Sequence, residues 1–376
     1  MEKNHLRFST DKKYIIFAIS LVFFILFLCL ILIFYYQRQN SEKNEQKMGK
    51  IKQKMGKIKQ NSEKIKSNSE KKIKINVEMP NVKTKQEKIK QYIECAIEID
   101  FKNYPPEIRK LCQDALIGGK YVRPIIILSI FENLGNDNKN IQCAIDGALA
   151  IEYIHCSSLI LDDMMDNDNE RRGKKCIHII ANTNIAQMVS VILFMLAYQK
   201  INNSTKIIKG DKIRKKYLLK IFDKFGEATK KLGDGQLDDI LATKNKASIL
   251  SIIEKKTGSL FEICCVYPLL IKKAENSLVD GKNKAIKTFE KMGNQFGILF
   301  QISDDFEDYF DDMKKGSVNY VVNSGVDCAK KYYDNMCETL MRKLRENDIC
   351  TKEIAEIIDY LSERVRLNYK NIIGQK

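Results

Sequence analysis

Proline is scarce in this 376-residue chain: there are five in all, and after residue 86 it stands only at positions 105, 106, 124 and 268. So few breakers, with no convincing apolar and polar alternation, exclude a sheet-built fold and leave long helices. The eleven cysteines include no CxxC pair and no Cys/His spacing suited to zinc. That excludes a zinc module, and their place in apolar, helix-like runs reads as core packing in a reducing compartment, not a disulfide framework. Excess positive charge is also missing from most of the chain. The formal net charge is +16, but residues 1–90 carry 21 Lys and Arg against 8 Asp and Glu, a net of +13. The remainder is close to balanced, so nucleic acid is not an expected partner of the folded part.

What is present falls into four stretches. After a short tail (1–13), residues 14–36 form an uncharged run of 23 with only Ser20 clearly polar and with Tyr14, Tyr35 and Tyr36 at its ends. The run is long enough to span a bilayer as a helix, has aromatic residues where interfacial anchors belong, and has no cleavage site; it reads as a retained single-pass membrane anchor. The heavier positive flank lies carboxyl-terminal to it, which places the rest of the chain in the cytoplasm. Residues 37–85 are a Lys-rich linker with a seven-residue repeat, QKMGKIK at 46 and 53 and NSEK at 40, 61 and 68. Gly49 and Gly56 interrupt its apolar seam, favouring a flexible spacer or a strip attracted to anionic lipid over a coiled coil. From 86 to 376 the periodicity predicts helices over 106–117, 123–134, 141–165, 180–201, 213–241, 250–274, 283–310 and two more at the end, an all-α bundle of about ten helices.

The chemistry concentrates in residues 155–173, HCSSLILDDMMDNDNERRG, where an apolar segment runs into Asp162, Asp163 and Asp166 and then Arg171 and Arg172. Carboxylates at i and i+4 share one helix face, so Asp162 and Asp166 form one focus of negative charge. The same spacing recurs in FQISDDFEDYF at Asp304, Asp305 and Asp308. Apolar flanks put both clusters in buried helices facing a shared cavity, where unpaired carboxylates are costly unless metals neutralise them. Mg²⁺ suits hard oxygen ligands combined with substrate phosphates. In ALIGGKYVRP, Gly118 and Gly119 end one helix and Pro124 opens the next, leaving Lys120 and Arg123 beside free backbone N–H groups, a good anion site. GDGQLDD (233–239) and EKKTGSLFEICC (254–265) follow, the latter setting Lys256 and Thr257 beside an apolar helix.

In this order GGKYVRP, HCSSLILDDMMDNDNERRG, GDGQLDD, KTGSLF and FQISDDFED resemble the trans-isoprenyl diphosphate synthases, or polyprenyl synthases, over residues 86–376. The resemblance implies an isoprenoid-synthase-type helical bundle around a deep apolar cavity, a homodimer, and head-to-tail condensation of isopentenyl diphosphate with an allylic diphosphate. Carried over motif by motif, it assigns Asp162, Asp163, Asp166, Asp304, Asp305 and Asp308 to two or three Mg²⁺ ions. Lys120, Arg123, His155 and Arg172 are implied to hold isopentenyl diphosphate, and Arg171, Lys256, Thr257 and Gln301 to contact the allylic substrate. Ser157 and Ser158, five and four residues before Asp162, occupy the family's chain-length positions. Small residues there imply geranylgeranyl diphosphate or something longer, and the DDMMD spacing is similar to the eukaryotic geranylgeranyl type. A longer-chain polyprenyl synthase and a non-catalytic partner subunit or lipid-binding scaffold are the rivals; the second acidic motif, DDFED, lacks the Asn, Ser or Thr of class I terpene cyclases. Two positions depart from the family pattern. Tyr121 replaces a basic residue after GGK, and FDDMKKGSVNYVV lacks the longer GKxxGxD-like loop, leaving Lys314 or Lys315 to substitute near Ser317.

Overall fold

A computed structural model of the chain describes residues 78–135, 140–207, 212–241, 248–275 and 284–374. The expected span at 14–36 and the heptad repeat lie outside the described residues. Helix α1 (Pro80–Asp100) already begins inside the stretch read as linker. It is followed by α2 (Pro106–Leu116), α3 (Val122–Asn133) and α4 (Ile141–Met165). A minimal hairpin, β1 (Glu170–Arg171) and β2 (Lys174–Lys175), leads to α5 (Ile177–Ile180), α6 (Thr183–Ile207) and α7 (Lys212–Ile240). Then come α8 (Ile249–Ile253), a π-helical turn (Glu254–Gly258), α9 (Ser259–Glu275) and α10 (Lys284–Glu307). The chain finishes with α11 (Tyr309–Lys315), α12 (Tyr320–Ser324), α13 (Val326–Glu346) and α14 (Lys352–Gly374). All-α architecture is as expected.

Several bounds differ from the periodicity, two of the differences with a visible local contact. The helix expected over 180–201 starts at Thr183, because the Asn182 side chain accepts the Ile185 N–H (2.9 Å) and caps it. The rod expected over 250–274 contains the π turn, whose Glu254 carbonyl accepts from Asn294 Nδ2 (3.3 Å). The helix expected over 283–310 ends at Glu307, with a break at Asp308 before α11. The hairpin was not expected at all. Its strands are two residues each, paired Glu170 to Lys175 and Arg171 to Lys174, too short to leave an alternating pattern.

α4 is apolar on nearly every side, and it forms the axis of the bundle. It packs along α6 and against α3 and α9, while α9 lies against α7 and α10. By length and composition α4 and residues 183–204 of α6 could each cross a bilayer; α4 is instead mostly buried among its neighbours. Close approach at one crossing depends on Gly147, where a Cβ would lie 2.1 Å from the Tyr267 ring. All ten described cysteines are free and six are buried, as core residues. α14 clasps α1: the Glu356 carboxylate accepts from Asn81 N (3.2 Å) and Val82 N (2.9 Å), a negative charge at a helix start.

Candidate active site

The first acidic cluster occupies the last turn of α4. Buried Asp163 is paired with the Arg171 guanidinium, and Asp162 accepts from Gln236 Nε2 on α7 (2.7 Å) and from Lys256 Nζ on the π turn (3.3 Å). Lys256 also donates to Asp239 on α7 (2.7 Å). Asp166 is exposed, yet partial loss of solvent around its carboxyl, together with the nearby Asp162 charge, raises its proton affinity. Gly235 allows this junction: a Cβ there would lie 2.4 Å from Lys256 N, so only glycine lets α7 press against the π turn.

The second cluster sits at the end of α10. Gly258 and Gly297 bring α10 onto the π turn, with a Gly297 Cβ position 2.6 Å from Gly258 Cα. That closeness aligns a relay in which Thr257 Oγ1 donates to Gln301 Oε1 (2.8 Å) and Gln301 Nε2 donates to Asp305 Oδ1 (3.0 Å). Tyr320 N donates to Asp305 Oδ2 (2.8 Å), and Asn319, fully buried, binds both Asp305 O (2.8 Å) and Asp312 Oδ2 (2.9 Å). Asp304 is paired with Arg364 of α14. Asp308 is exposed at the break after α10. Lys314 faces Asp311 (4.0 Å) and Lys315 acts on Asp312, so the two lysines offered as substitutes are engaged elsewhere on α11.

A basic group lies between the two. Tyr121, in the left-handed region (φ 53), does not replace a phosphate ligand in kind: its hydroxyl accepts the Gly118 N–H (3.0 Å) and donates to Leu116 O (3.2 Å), fastening the GGK turn. The turn leaves Lys120 exposed, its ammonium 5.7 Å from the Tyr360 ring and close enough to Asp304 to favour that carboxylate's charge. Arg123 is buried over the Phe261 ring (4.6 Å), with its Nε lacking a hydrogen-bond acceptor. In the hairpin, Arg172 (φ 55) and Gly173 (φ 73) make the left-handed two-residue turn that matches strand twist. Arg171 is thereby directed to Asp163, while Arg172 reaches Gly119 and buried Glu152. Loss of solvent and the charges of Arg123, Arg172 and Arg171 push the His155 proton affinity well below its ordinary value, leaving a neutral imidazole.

Of the chain-length pair, Ser157 is buried and exchanges hydrogen bonds with Ser190 of α6 (2.9 and 3.0 Å), so it serves close helix packing. Ser158 is half-buried and donates to His155 O (2.8 Å).

Hard carboxylate oxygens, with proton affinity raised by loss of solvent at Asp166, Asp304 and Asp305, are a donor set that suits a divalent cation of the Mg²⁺ kind. As arranged, Asp162, Asp163, Asp304 and Asp305 are each turned to a protein partner, and among the described residues no three acidic, His or Cys side chains converge on one point. Asp162, Asp163, Asp304 and Asp305 would therefore exchange Lys256, Arg171, Arg364 and Gln301 contacts for metal contacts. Sequence reasoning flagged GDGQLDD without assigning Gln236 or Asp239, and it missed Glu152 and Arg364. The first two were findable from their i, i+3 spacing; a buried Arg in an amphipathic helix leaves no such mark.

Burial raises the Asp305 carboxyl to about 7, against the opposing hydrogen bonds from Gln301 and Tyr320. Its folded-state affinity for a proton exceeds the unfolded one, so its contribution to stability is present at low pH and is lost as pH rises from about 4 through about 7. Without added metal, melting temperature is expected to fall over that range, and Asp305→Asn to flatten the fall. A native slope unchanged by the substitution would refute it.

A family model described as polyprenyl synthetase matches residues 105–354. A chloroplastic geranylgeranyl pyrophosphate synthase of Capsicum annuum is 33% identical over 204 residues, covering 51% of this chain and 50% of that protein. A short chain isoprenyl diphosphate synthase of Methanocaldococcus jannaschii is 27% identical over 66% of this chain and 74% of its own length. Among solved structures, a geranyltranstransferase of Thermotoga maritima aligns with a TM-score of 0.62 at 26% identity, over 76% of this chain and 99% of its own. The chain thus spans half the length of the Capsicum relative and nearly all of the Thermotoga fold.

Proposed function

Since the chain belongs to the polyprenyl synthetase family, we propose that it condenses isopentenyl diphosphate with an allylic diphosphate head to tail, favouring geranylgeranyl diphosphate. The observation that carries this is the linking of two acidic helix ends, on α4 and α10, by the π turn, whose Lys256 reaches Asp162 and whose Thr257 reaches Asp305 through Gln301, beside the basic group of Lys120, Arg123, His155 and Arg172. In the reaction the allylic C–O bond breaks with its electron pair leaving on diphosphate, the isopentenyl double bond attacks the allylic carbon, and loss of a proton restores a double bond. Asp162, Asp163, Asp166, Asp304, Asp305 and Asp308 would hold Mg²⁺, which would supply countercharge to the departing diphosphate. Lys256 and Arg171, already at the carboxylates, add cationic groups where charge grows. Arg123, desolvated beside neutral His155, offers an arginine fork to the second diphosphate.

The small, half-buried side chain at 158 supports the chain-length assignment, whereas Ser157 is taken up by packing against Ser190. Incubating the full chain with isopentenyl and farnesyl diphosphates and Mg²⁺ is expected to yield a twenty-carbon product; farnesyl diphosphate as sole end product in assays begun from shorter primers would refute it. Ser158→Phe is expected to shorten the product, whereas Ser157→Phe would collide with α6. Tyr121 as a turn fastener supports one rival, a non-catalytic subunit, which would give no product unless a second chain were added.

Two further parts of the reading rest on composition and surface. Residues 14–36 tether the protein with its catalytic part in the cytoplasm, and Met188, Val191 and Met195, exposed along one face of α6, serve a homodimer. Protease protection of residues beyond 37, or a monomer in light scattering, would contradict these respectively.

A further inference from the structure

Helix α14 carries a group that the sequence motifs do not include. Arg364 is 1% exposed, yet all three of its nitrogens face the last turn of α10: Nε donates to Ser303 Oγ (2.7 Å), Nη1 to Glu307 Oε2 (3.0 Å), and Nη2 lies against Asp304. The aromatic rings of Phe300 and Tyr360 flank the guanidinium, each 5.9 Å from its central carbon. Tyr360, one turn earlier on α14, also lies 5.7 Å from the Lys120 ammonium. One face of α14 therefore touches both the second acidic cluster and the GGK turn. Both residues fall outside the matched span 105–354.

A planar guanidinium hydrogen-bonded through Nε and Nη1 and ion-paired to Asp304 through Nη2 can fix a carboxylate's orientation in a way a lysine cannot, since an ammonium is a point charge on a flexible stem. An arginine buried this deeply is also costly to keep unless all its partners are engaged. We propose that Arg364 is a positioning residue of the active site, which holds Asp304 and Glu307 in register at the end of α10 for cation binding. The inference rests on the proposed function, because it gives Asp304 a metal to hold. α14 is then part of the catalytic apparatus and not only a lid on the core.

The test is calorimetric titration of Mg²⁺ into the full chain with inorganic diphosphate present. Arg364→Gln is expected to weaken Mg²⁺ binding about tenfold or more, as loss of a group orienting a metal ligand does, with turnover falling in parallel and the KM for isopentenyl diphosphate within about twofold of native. Arg364→Lys, keeping charge without the fork, should fall between. Glu307→Gln, which frees one anchor of the guanidinium without touching Asp304, should give a smaller loss of the same sign. A merely structural role would lower the melting temperature and leave Mg²⁺ affinity intact. If Arg364→Gln does not fold, native-like Mg²⁺ binding by both Arg364→Lys and Glu307→Gln would overturn the inference. A native chain that binds no Mg²⁺ with diphosphate would remove the proposed function itself; a native chain that binds, beside a folded Arg364→Gln that binds equally, would remove this inference alone.

Discussion

Lys256→Ala should lower turnover by about 100- to 1000-fold, the loss that follows removal of one preorganised charge from a transition state. Lys256 is the only described lysine whose ammonium meets both Asp162 and Asp239, at 3.3 and 2.7 Å, and it is held there by the π turn pressed against Gly235. Those two carboxylates raise its proton affinity although burial opposes them, so it stays cationic throughout the working range. Its removal leaves Asp162 and Asp239 to repel one another and takes a fixed positive charge from the place where the leaving diphosphate would gather charge. The adjacent Lys255 provides the control. It pairs with Asp238 (2.7 Å) at the surface, and Lys255→Ala should leave the rate unchanged. Steady-state assays of both variants decide the matter; equal activities would take Lys256 away from the reacting centre.

Gly297→Ala is expected to cost about 1–3 kcal/mol of stability, because one added methyl group must overpack a backbone-to-backbone contact that cannot rotate away. Its Cβ would meet Gly258 Cα at 2.6 Å and Gly258 N at 3.1 Å. Separating α10 from the π turn would also stretch the 2.8 Å bond from Thr257 to Gln301, and with it the support of Asp305. Activity should therefore fall further than the folded fraction does. Gly226, on α7 with nothing within 4 Å of its Cβ position, makes the contrast: Gly226→Ala should gain about 0.5–1 kcal/mol, the usual helix-interior preference for alanine. Urea denaturation of the two variants compares them directly, and a Gly297→Ala protein as stable as the native would disprove tight packing at this crossing.

The same crossing explains which parts of the site could be read from sequence. Aspartates at i and i+4 after apolar runs stand out because charge on a buried helix is rare, and both clusters are placed at helix ends as that pattern implies. The π turn was illegible: its residues Glu254–Gly258 are ordinary helix formers apart from Gly258, and the register shift arises from packing against Gly235 and Gly297. At Tyr121 the sequence shows only the missing basic residue, since no local pattern reveals a hydroxyl that reaches back to Leu116 and Gly118. Arg364 was illegible for the opposite reason. Flanked by Glu363 and Arg366 in an amphipathic helix, it looks like a solvated charge, and only the tertiary fold buries it.

The hairpin between α4 and α5 makes this region sensitive to length more than to composition. Neighbouring residues in an extended strand face opposite sides, so inserting or deleting one residue inverts every assignment that follows. Arg171 meets Asp163 and Arg172 the Gly119 and Glu152 side only because the pair occupies the last strand position and the first turn position of a two-residue loop. A single-residue insertion before Arg171 would preserve every side chain and still take each arginine off its own partner, Asp163 or Glu152. Parity, and not only the presence of two arginines, is what this turn preserves.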